Sequence, residues 1–232
     1  MAAKRTVRPL TDFDRPSVTV DLVLLTVRDG ALCVLVIRRE DQVAGEWALP
    51  GGFVHIDESL DETVARLLRD KAHLPGGFVE QLYTFGKPDR DPRGRVISVA
   101  YYALVPADRL EGGIVEAGDL ALTKVEASLS GALPAVILPD GRLERLAFDH
   151  GEILKMAIGR LRGKLDYSAV GLELLPELFT LRQLQDVHEA ILGARLAKPA
   201  FRRKMLDRGF LKPTGLLEKG AAFRPAELYR RV

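Results

Sequence analysis

The segment from Gly51 to Leu74 combines a glycine turn with a charged, amphipathic helix, an arrangement in which carboxylates could hold a divalent metal. Magnesium prefers hard oxygen ligands, and residues at i, i+3 and i+4 of a helix are neighbours. One predicted helix face therefore carries Leu67, Asp70 and Lys71. At ~4 Å and an effective dielectric constant of ~20, the charge of Lys71 repels a divalent ion by roughly 8 kcal/mol. A metal site is not expected here.

The same segment resembles the Nudix box. In that family a glycine is followed six residues later by a glutamate, and then by an Arg-Glu-apolar-x-Glu-Glu-x-Gly-apolar run. The pattern is matched by Gly52, Glu58, Arg66, Leu68 and Leu74. In contrast, Leu67, Asp70, Lys71 and His73 stand where the family has Glu, Glu, Glu and Gly. The resemblance implies a Nudix fold without catalytic residues, metal or other cofactor. The degenerate box comprises Gly52, Glu58, Arg66, Leu67, Asp70 and Lys71.

The elements that must position these residues alternate between strands and helices, which predicts the α/β (α+β) class with a mixed sheet. Apolar runs at 17–27 and 31–37 flank Asp29-Gly30 and predict a β-hairpin. Residues 78–85 and 95–105 predict two further strands. Later elements are predicted as another short strand or a strand pair at 135–138 and 143–148, and a helix from Asp149, its N-cap, to about Leu161.

Composition and charge limit the classes of function that this chain can have. The chain has 232 residues, 47% of them hydrophobic, enough for one large or two modest domains. Its net charge is only +2, yet residues 179–232 contain 12 Lys and Arg against 5 Asp and Glu, a local charge of +7. Such a tail indicates contact with nucleic acid or another anionic surface. One cysteine, Cys33, and no signal-peptide or membrane-spanning pattern lead us to expect a cytoplasmic protein without a membrane partner.

The basic tail predicts a helix-turn-helix. Thr180 and Gln183 form a capping-box pattern that opens one helix, which ends at Gly193. Residues 199–208 predict a second helix, with proline in its first turn and Gly209 at its end.

The second helix of this pair has a cationic outer face. A spacing of ~100° per residue turns Phe201, Met205 and Leu206 inward and Ala200, Arg203, Lys204 and Asp207 outward. Such a stripe is usually only a solvated face, but segments 210–215 and 221–224 predict the β-hairpin of a winged helix, which favours DNA. The DNA-binding candidates are Lys198, Arg202, Arg203, Lys204, Arg208, Lys212 and Arg224.

Segments 175–185, 201–204 and 224–230 together resemble the Nudix-related transcriptional regulators of NAD metabolism. The resemblance implies an effector-sensing and dimerisation domain at 12–163 and a winged-helix DNA-binding domain at 167–232. It further implies a homodimer on a palindromic, double-stranded operator. The family's Asp-Lys-x-Asn motif is replaced by Ala-Lys-Pro-Ala at 197–200, so operator contacts from positions 197 and 200 are not carried over.

The family's effector, ADP-ribose or a related NAD metabolite, is also implied by resemblance. The loop 90–95 resembles loops of Nudix proteins that bind ADP-ribose, although a solvated turn explains it equally well. The planar fork of arginine suits a diphosphate, and aromatic rings could face the adenine or fill the core. Effector-binding candidates are Arg38, Arg39, Trp47, Gly51, Gly52, Phe85, Arg90, Arg93 and Tyr101.

These observations predict a DNA-binding regulator of NAD biosynthesis or salvage genes. The direction of regulation that we expect is repression. The alternative is a Nudix hydrolase acting on ADP-ribose with a rearranged box of Glu58, Glu62 and Asp70, its basic tail serving only oligomerisation. A third reading, an RNA-associated factor, lacks an exposed aromatic platform on which bases could stack. The sequence favours the regulator.

Overall fold

The computed structural model describes residues 8–41, 46–114, 119–126, 132–219 and 225–232. Within these ranges a mixed sheet of nine strands carries helices on both faces, and a helix-turn-helix with a three-stranded sheet follows it. The predicted fold class, a mixed sheet with helices followed by a winged helix, is confirmed.

The elements follow the predicted order closely. In the first part of the chain they are β1 Ser17–Arg28, β2 Ala31–Arg38, β3 Trp47–Ala48, β4 Gly51–Phe53, α1 Leu60–Ala72, β5 Phe78–Phe85, β6 Val96–Leu104, α2 Ala107–Ile114, β7 Leu120–Glu126, β8 Ala135–Ile137 and β9 Leu143–Glu144. The remaining elements are α3 His150–Leu165, β10 Phe179–Thr180, α4 Leu181–Leu192, α5 Lys198–Asp207, β11 Leu211–Leu217 and β12 Glu227–Arg231.

Strand β1 is the centre of the large sheet. The strand order is β5-β6-β1-β2-β7-β8-β9, with β3 beside β2 and β4 beside β1. β1 pairs in parallel with β6 and antiparallel with β2. The turn between β1 and β2 has positive φ at Asp29 and Gly30, 50° and 70°, as the predicted hairpin requires.

Both faces of the sheet are covered, which explains why β1 is apolar without alternation. The apolar residues of β1 divide between two clusters. Val20, Leu22 and Leu24 pack in the cluster that includes α1, whereas Val23 and Leu25 pack in the cluster that includes α3 and α4. The Cys33 side chain is also buried, as expected for a core residue, and burial raises the pKa of its thiol.

Helix α3 differs from its prediction in two ways. It continues past Leu161 to Leu165, because Leu165 extends the buried face and is only 3% exposed. Asp149 precedes the helix, but its side chain makes no capping hydrogen bond. Its carboxylate is instead bound by Arg90.

The helix-turn-helix matches its local sequence signals. Thr180 and Gln183 form the capping box at the start of α4, and Gly193 ends that helix with a left-handed φ of 69°. On α5, Phe201 and Met205 are buried as predicted, but the inward placement of Leu206 is wrong, since this side chain is 40% exposed.

The wing is built from β11 and β12, which pair antiparallel, with β10 on the other side of β12. The second wing strand lies at Glu227–Arg231, whereas the predicted segment 221–224 falls outside the described residues.

One apolar cluster crosses the predicted boundary between residues 163 and 167. It joins Val34 of β2 and Ile153 of α3 to Val187 of α4, Phe201 of α5 and Tyr229 of β12. The helix-turn-helix therefore packs directly on the large sheet. Among the helices in the described ranges, none is long and apolar enough to cross a membrane.

Candidate functional site

An open pocket of about 260 Å3 lies where β1, β2 and β4 meet the loop 86–95 and the start of α3. Two arginines approach one aromatic ring in its wall. The guanidinium carbon of Arg39 lies 4.1 Å from the centroid of the Phe148 ring, and that of Arg93 lies 5.4 Å from it. The two cations and the ring present hydrogen-bond donors beside a flat apolar surface, which suits a nucleotide that carries phosphate.

Neighbouring carboxylates orient both arginines. Arg39 donates from Nε to Asp41 Oδ1 over 2.9 Å. Arg93 donates from Nε and Nη2 to the two oxygens of Asp91, over 3.0 and 2.8 Å. The Arg93 side chain remains 46% exposed, so part of its guanidinium group is open to solvent and to a ligand.

Arg90 lies deeper and is enclosed by two acids. Its Nη2 is 3.1 Å from Asp21 Oδ2 and 2.8 Å from Asp149 Oδ1, and its side chain is 4% exposed. Asp21 also accepts a hydrogen bond from Ser98 Oγ over 2.6 Å. Because two buried carboxylates already compensate the charge of Arg90, this residue organises the pocket and does not offer a free cation to a diphosphate.

His150 completes the floor of the pocket. Its Nδ1 accepts a hydrogen bond from the Leu49 amide over 2.9 Å, which places the ring proton on Nε2, 3.6 Å from Asp21 Oδ1. Burial lowers the pKa of His150, so the ring is neutral near neutral pH. The buried group is therefore a fixed network that ties β1, the loop 86–95 and the start of α3 together.

Two glycines form the side of the pocket next to the sheet. A Cβ on Gly51 would lie 2.4 Å from Asp21 Oδ1 and 2.8 Å from the Val20 carbonyl oxygen, so no larger residue fits without displacing the backbone. A Cβ on Gly52 would lie 3.0 Å from Leu67 Cδ2. Strand β4 therefore packs directly on helix α1.

The residues of the degenerate box on and before helix α1 differ in their exposure and in their partners. Leu67 is 1% exposed and packs in the core, whereas Asp70 and Lys71 are exposed, so the three positions do not form the single accessible helix face that the sequence predicted. Glu58 is bound by Arg66, with Oε1 2.6 Å from Nε, and this contact lowers the pKa of Glu58 to about 2. Within the described residues, no group of three or more His, Cys, Asp or Glu side chains is arranged to hold a metal ion.

A second surface, on the outer side of α5, is basic. Five of the predicted DNA-binding residues are exposed there or on the wing: Lys198, Arg202, Arg203, Lys204 and Lys212. Arg208 is half-buried, and its Nη1 donates to the Leu165 carbonyl oxygen over 2.8 Å. This residue, a DNA-binding candidate in the sequence, is thus held at the junction with α3. Arg224 lies outside the described residues.

Glu189 fixes the turn between α4 and α5. Its carboxylate accepts hydrogen bonds from the Leu196 amide over 2.9 Å, from Gln185 Nε2 over 2.8 Å and from Arg195 Nη1 over 2.8 Å. Gln185 also donates to the Leu196 carbonyl oxygen over 3.0 Å. The position of α5 relative to α4 is therefore set by side chains as well as by apolar packing.

Comparison with known proteins identifies two domains in this chain. Residues 171–231 match the NrtR DNA-binding winged helix domain, and residues 15–126 match the NUDIX domain. The chain is similar to the ADPR responsive transcriptional repressor NtrR of Acinetobacter baylyi, at 36% identity over 223 residues that cover 95% of this chain and 84% of the relative. The chain belongs to the NrtR family.

Solved structures of Shewanella oneidensis NrtR are also similar. Its complex with a 27mer DNA matches with a TM-score of 0.77 and 36% identity, over 93% of each chain. Its NUDIX domain complexed with ADP ribose matches with a TM-score of 0.50 and 33% identity, over 66% of this chain and 94% of that one.

In this NrtR protein the effector candidates separate into two groups. The pocket brings together Arg39, Gly51, Gly52, Arg90 and Arg93. Outside it lie Arg38, Trp47, Phe85 and Tyr101.

Each of the four residues outside the pocket has another environment. Arg38 is 58% exposed and pairs with Glu46 over 2.8 Å. Trp47 and Phe85 pack in the apolar cluster that contains α3, and Tyr101 packs in the cluster next to α1.

Among the lining residues that the sequence interpretation missed are the four whose side chains make the polar and cation–ring contacts described above: Asp21, Asp91, Phe148 and His150. Asp21 carries a recognisable signal, because a lone acid within an otherwise apolar strand must find a partner when it is buried. Asp91 lies between the candidates Arg90 and Arg93 in the loop 90–95, whereas Phe148 and His150 are brought to the pocket only by the tertiary fold.

Proposed function

We propose that this NrtR protein is a transcriptional repressor that binds a palindromic, double-stranded operator as a homodimer and responds to ADP-ribose or a related NAD metabolite. It acts in the cytoplasm on genes of NAD biosynthesis or salvage. One observation carries the proposal. A chain that is 36% identical to an ADPR responsive repressor over 95% of its length combines an arginine-lined pocket with an exposed basic helix.

The basic surface supports the DNA-binding half of the proposal. Arg202 and Arg203 are exposed on α5, a helix whose other side is fixed in the core by Phe201 and Met205. A helix held in this way can enter the major groove, with the wing alongside. A single winged helix reads few base pairs, so two copies on a palindrome supply the specificity.

The pocket supports the effector half. Arg39 and Arg93 are the cations placed to bind a diphosphate, and the partly buried Phe148 ring lies beside both guanidinium groups, where it can contact a base or a ribose. A small-molecule nucleotide effector of this kind acts only through a difference in its affinity for two arrangements of the protein.

We propose further that the Nudix domain does not hydrolyse its ligand. Leu67 supplies no oxygen and is buried beneath Gly52, Lys71 is cationic, and the Glu58 carboxylate is occupied by Arg66. These residues do not fit a magnesium site, which requires oxygen ligands.

The proposal is tested by two titrations of the intact protein. Footprinting upstream of the protein's own gene defines an operator duplex, and fluorescence anisotropy then measures its affinity with and without ADP-ribose. We expect specific binding and a shift of roughly 5-fold to 150-fold on adding ADP-ribose, since allosteric coupling is commonly 1–3 kcal/mol. Absence of specific DNA binding overturns the repressor. Calorimetry measures the heat of ADP-ribose binding in the second titration. If the protein binds DNA, but ADP-ribose gives no binding heat and does not change the operator affinity, the effector assignment is overturned.

The hydrolase alternative has its own test. Protein with magnesium or manganese is expected to leave ADP-ribose intact, and turnover of ~1 s⁻¹ or more contradicts the proposal. The double substitution Leu67→Glu, Lys71→Glu is expected to bind manganese in calorimetry. The matched control Leu67→Gln, Lys71→Gln has similar side-chain sizes without the charges and is expected to bind none.

A further inference from the structure

Helix α3 contacts the effector pocket at one end and the helix-turn-helix at the other. At its start, Asp149 receives two hydrogen bonds from Arg90, and His150 accepts one from the Leu49 amide. Both residues are thereby fixed to the pocket. With 16 residues and a rise of ~1.5 Å each, the helix reaches about 24 Å from this point.

The other end of α3 is bonded to both helices of the DNA-binding unit. Arg162 Nε donates to the carbonyl oxygen of Ile191, in the last turn of α4, over 2.8 Å. Arg208, directly after α5, donates from its two Nη atoms to the carbonyl oxygens of Leu165 and Asp166. These carbonyls lie at the C-terminus of α3, where they lack partners within the helix and attract a cation.

The helix between these two ends is held firmly. Its inner face, formed by Ile153, Leu154, Ala157, Ile158 and Leu161, is at most 3% exposed. Close-packed helices of this kind shift as units and transmit strain. Glu189 then fixes α5 to α4 through the Leu196 amide, so a shift of α4 also moves α5.

We infer that α3 transmits effector binding to the recognition helix, and that Arg162 and Arg208 are the positioning residues of this connection. The inference rests on the proposed function. A ligand bound by Arg39 and Arg93 changes the surroundings of Phe148, and Phe148 adjoins Asp149 at the start of α3. The two arginines carry the resulting shift to α4 and α5, which changes the geometry that the dimer offers to an operator.

The test uses substitutions that keep the charge and remove the guanidinium fork: Arg162→Lys and Arg208→Lys, singly and together. The measured quantity is the ratio of operator Kd values with and without ADP-ribose. For wild type we expect a ratio of roughly 5 to 150. For the double variant we expect a ratio below about 2, while calorimetry still detects ADP-ribose binding and anisotropy still detects operator binding. The matched control is Arg182→Lys, an exposed arginine of α4 that pairs with Asp186 within its own helix.

The outcomes separate the inference from the function on which it rests. A double variant that keeps the wild-type ratio overturns the inference and leaves the repressor intact. Loss of the response in Arg182→Lys overturns it as well, because the effect is then not specific to the junction. A wild-type protein without operator binding or an ADP-ribose response overturns the proposed function itself. If circular dichroism shows that the double variant is unfolded, the single variants decide, and their expected ratios lie between those of wild type and 1.

Discussion

Arg90 donates two hydrogen bonds to Asp149, from Nε to Oδ2 over 2.9 Å and from Nη2 to Oδ1 over 2.8 Å. This pair joins the loop 86–95 to the residue that precedes α3, at the floor of the pocket. Asp21 of β1 shares the same guanidinium group. Three segments far apart in sequence thus meet at one buried cation.

Replacing Arg90 is therefore expected to destabilise the fold strongly. In Arg90→Met, Asp21 and Asp149 remain buried without their partner, which typically costs 3–5 kcal/mol, so the free energy of unfolding should fall by about that amount. Urea denaturation measures it. The matched control Arg142→Met breaks the exposed pair with Asp140, whose side chains are 57% and 53% exposed, and is expected to cost less than about 1 kcal/mol. Equal effects of the two substitutions would contradict the structural role of Arg90.

The effector pocket can be tested with two adjacent arginines. Arg39 faces the Phe148 ring in the pocket, whereas Arg38 pairs with Glu46 outside it. Arg39→Ala removes hydrogen bonds from a charged donor, worth ~1.5–3 kcal/mol, and is expected to raise the Kd for ADP-ribose at least about tenfold. Arg38→Ala makes the same change in charge one residue away and should alter the Kd less than about twofold. Calorimetry distinguishes the two, and similar losses would place the ligand elsewhere.

The recognition surface is tested by removing Arg203 and Lys204, which are both exposed on α5. The double alanine variant is expected to lose ~1–3 kcal/mol of operator affinity for each base contact that is removed. For each phosphate contact that is removed, the slope of the logarithm of the binding constant against the logarithm of the salt concentration should fall by ~1. Arg69→Ala on α1 is the control for loss of positive charge far from this surface. Unchanged affinity in the double variant would refute the assignment of this helix face.

Acid should weaken the turn that Glu189 holds. Hydrogen bonds from the Leu196 amide, Gln185 and Arg195 lower the pKa of Glu189 from its ordinary value of 4.5 to about 2. A carboxylate with a lowered pKa stabilises the fold above its unfolded-state pKa, and this contribution fades as the pH falls from 4.5 towards 2. Glu189→Gln should therefore destabilise the protein most at neutral pH. The difference from wild type, measured by urea denaturation, should shrink as the pH falls through this window, and a difference independent of pH would argue against the assignment.

Local signals in the sequence were enough to predict the elements that position the sites. Asp29-Gly30 specifies its turn by backbone conformation, and Thr180 with Gln183 specifies the start of α4 through reciprocal hydrogen bonds. These signals need no knowledge of the rest of the fold. The helix-turn-helix and its basic face were predictable for the same reason.

The pocket was only partly predictable, because distant segments build it. Arg39 and Phe148 are separated by more than a hundred residues, and no periodicity links them. The sheet also has helices on both faces, so an apolar strand gives no indication of which residues face which side. For that reason Phe85 and Tyr101 were candidates for an adenine contact, although both belong to the core.

The apolar cluster that unites the large sheet with the winged helix limits how this architecture can change. A modular regulator exchanges its DNA-binding unit by recombination at a linker, but here Val187 and Phe201 share a hydrophobic interior with Val34 and Ile153. A winged helix transplanted from elsewhere would bring the wrong surface to that interior. New operator preferences should therefore arise by substitutions on the outer face of α5, while the inner faces of α3 and α4 evolve together.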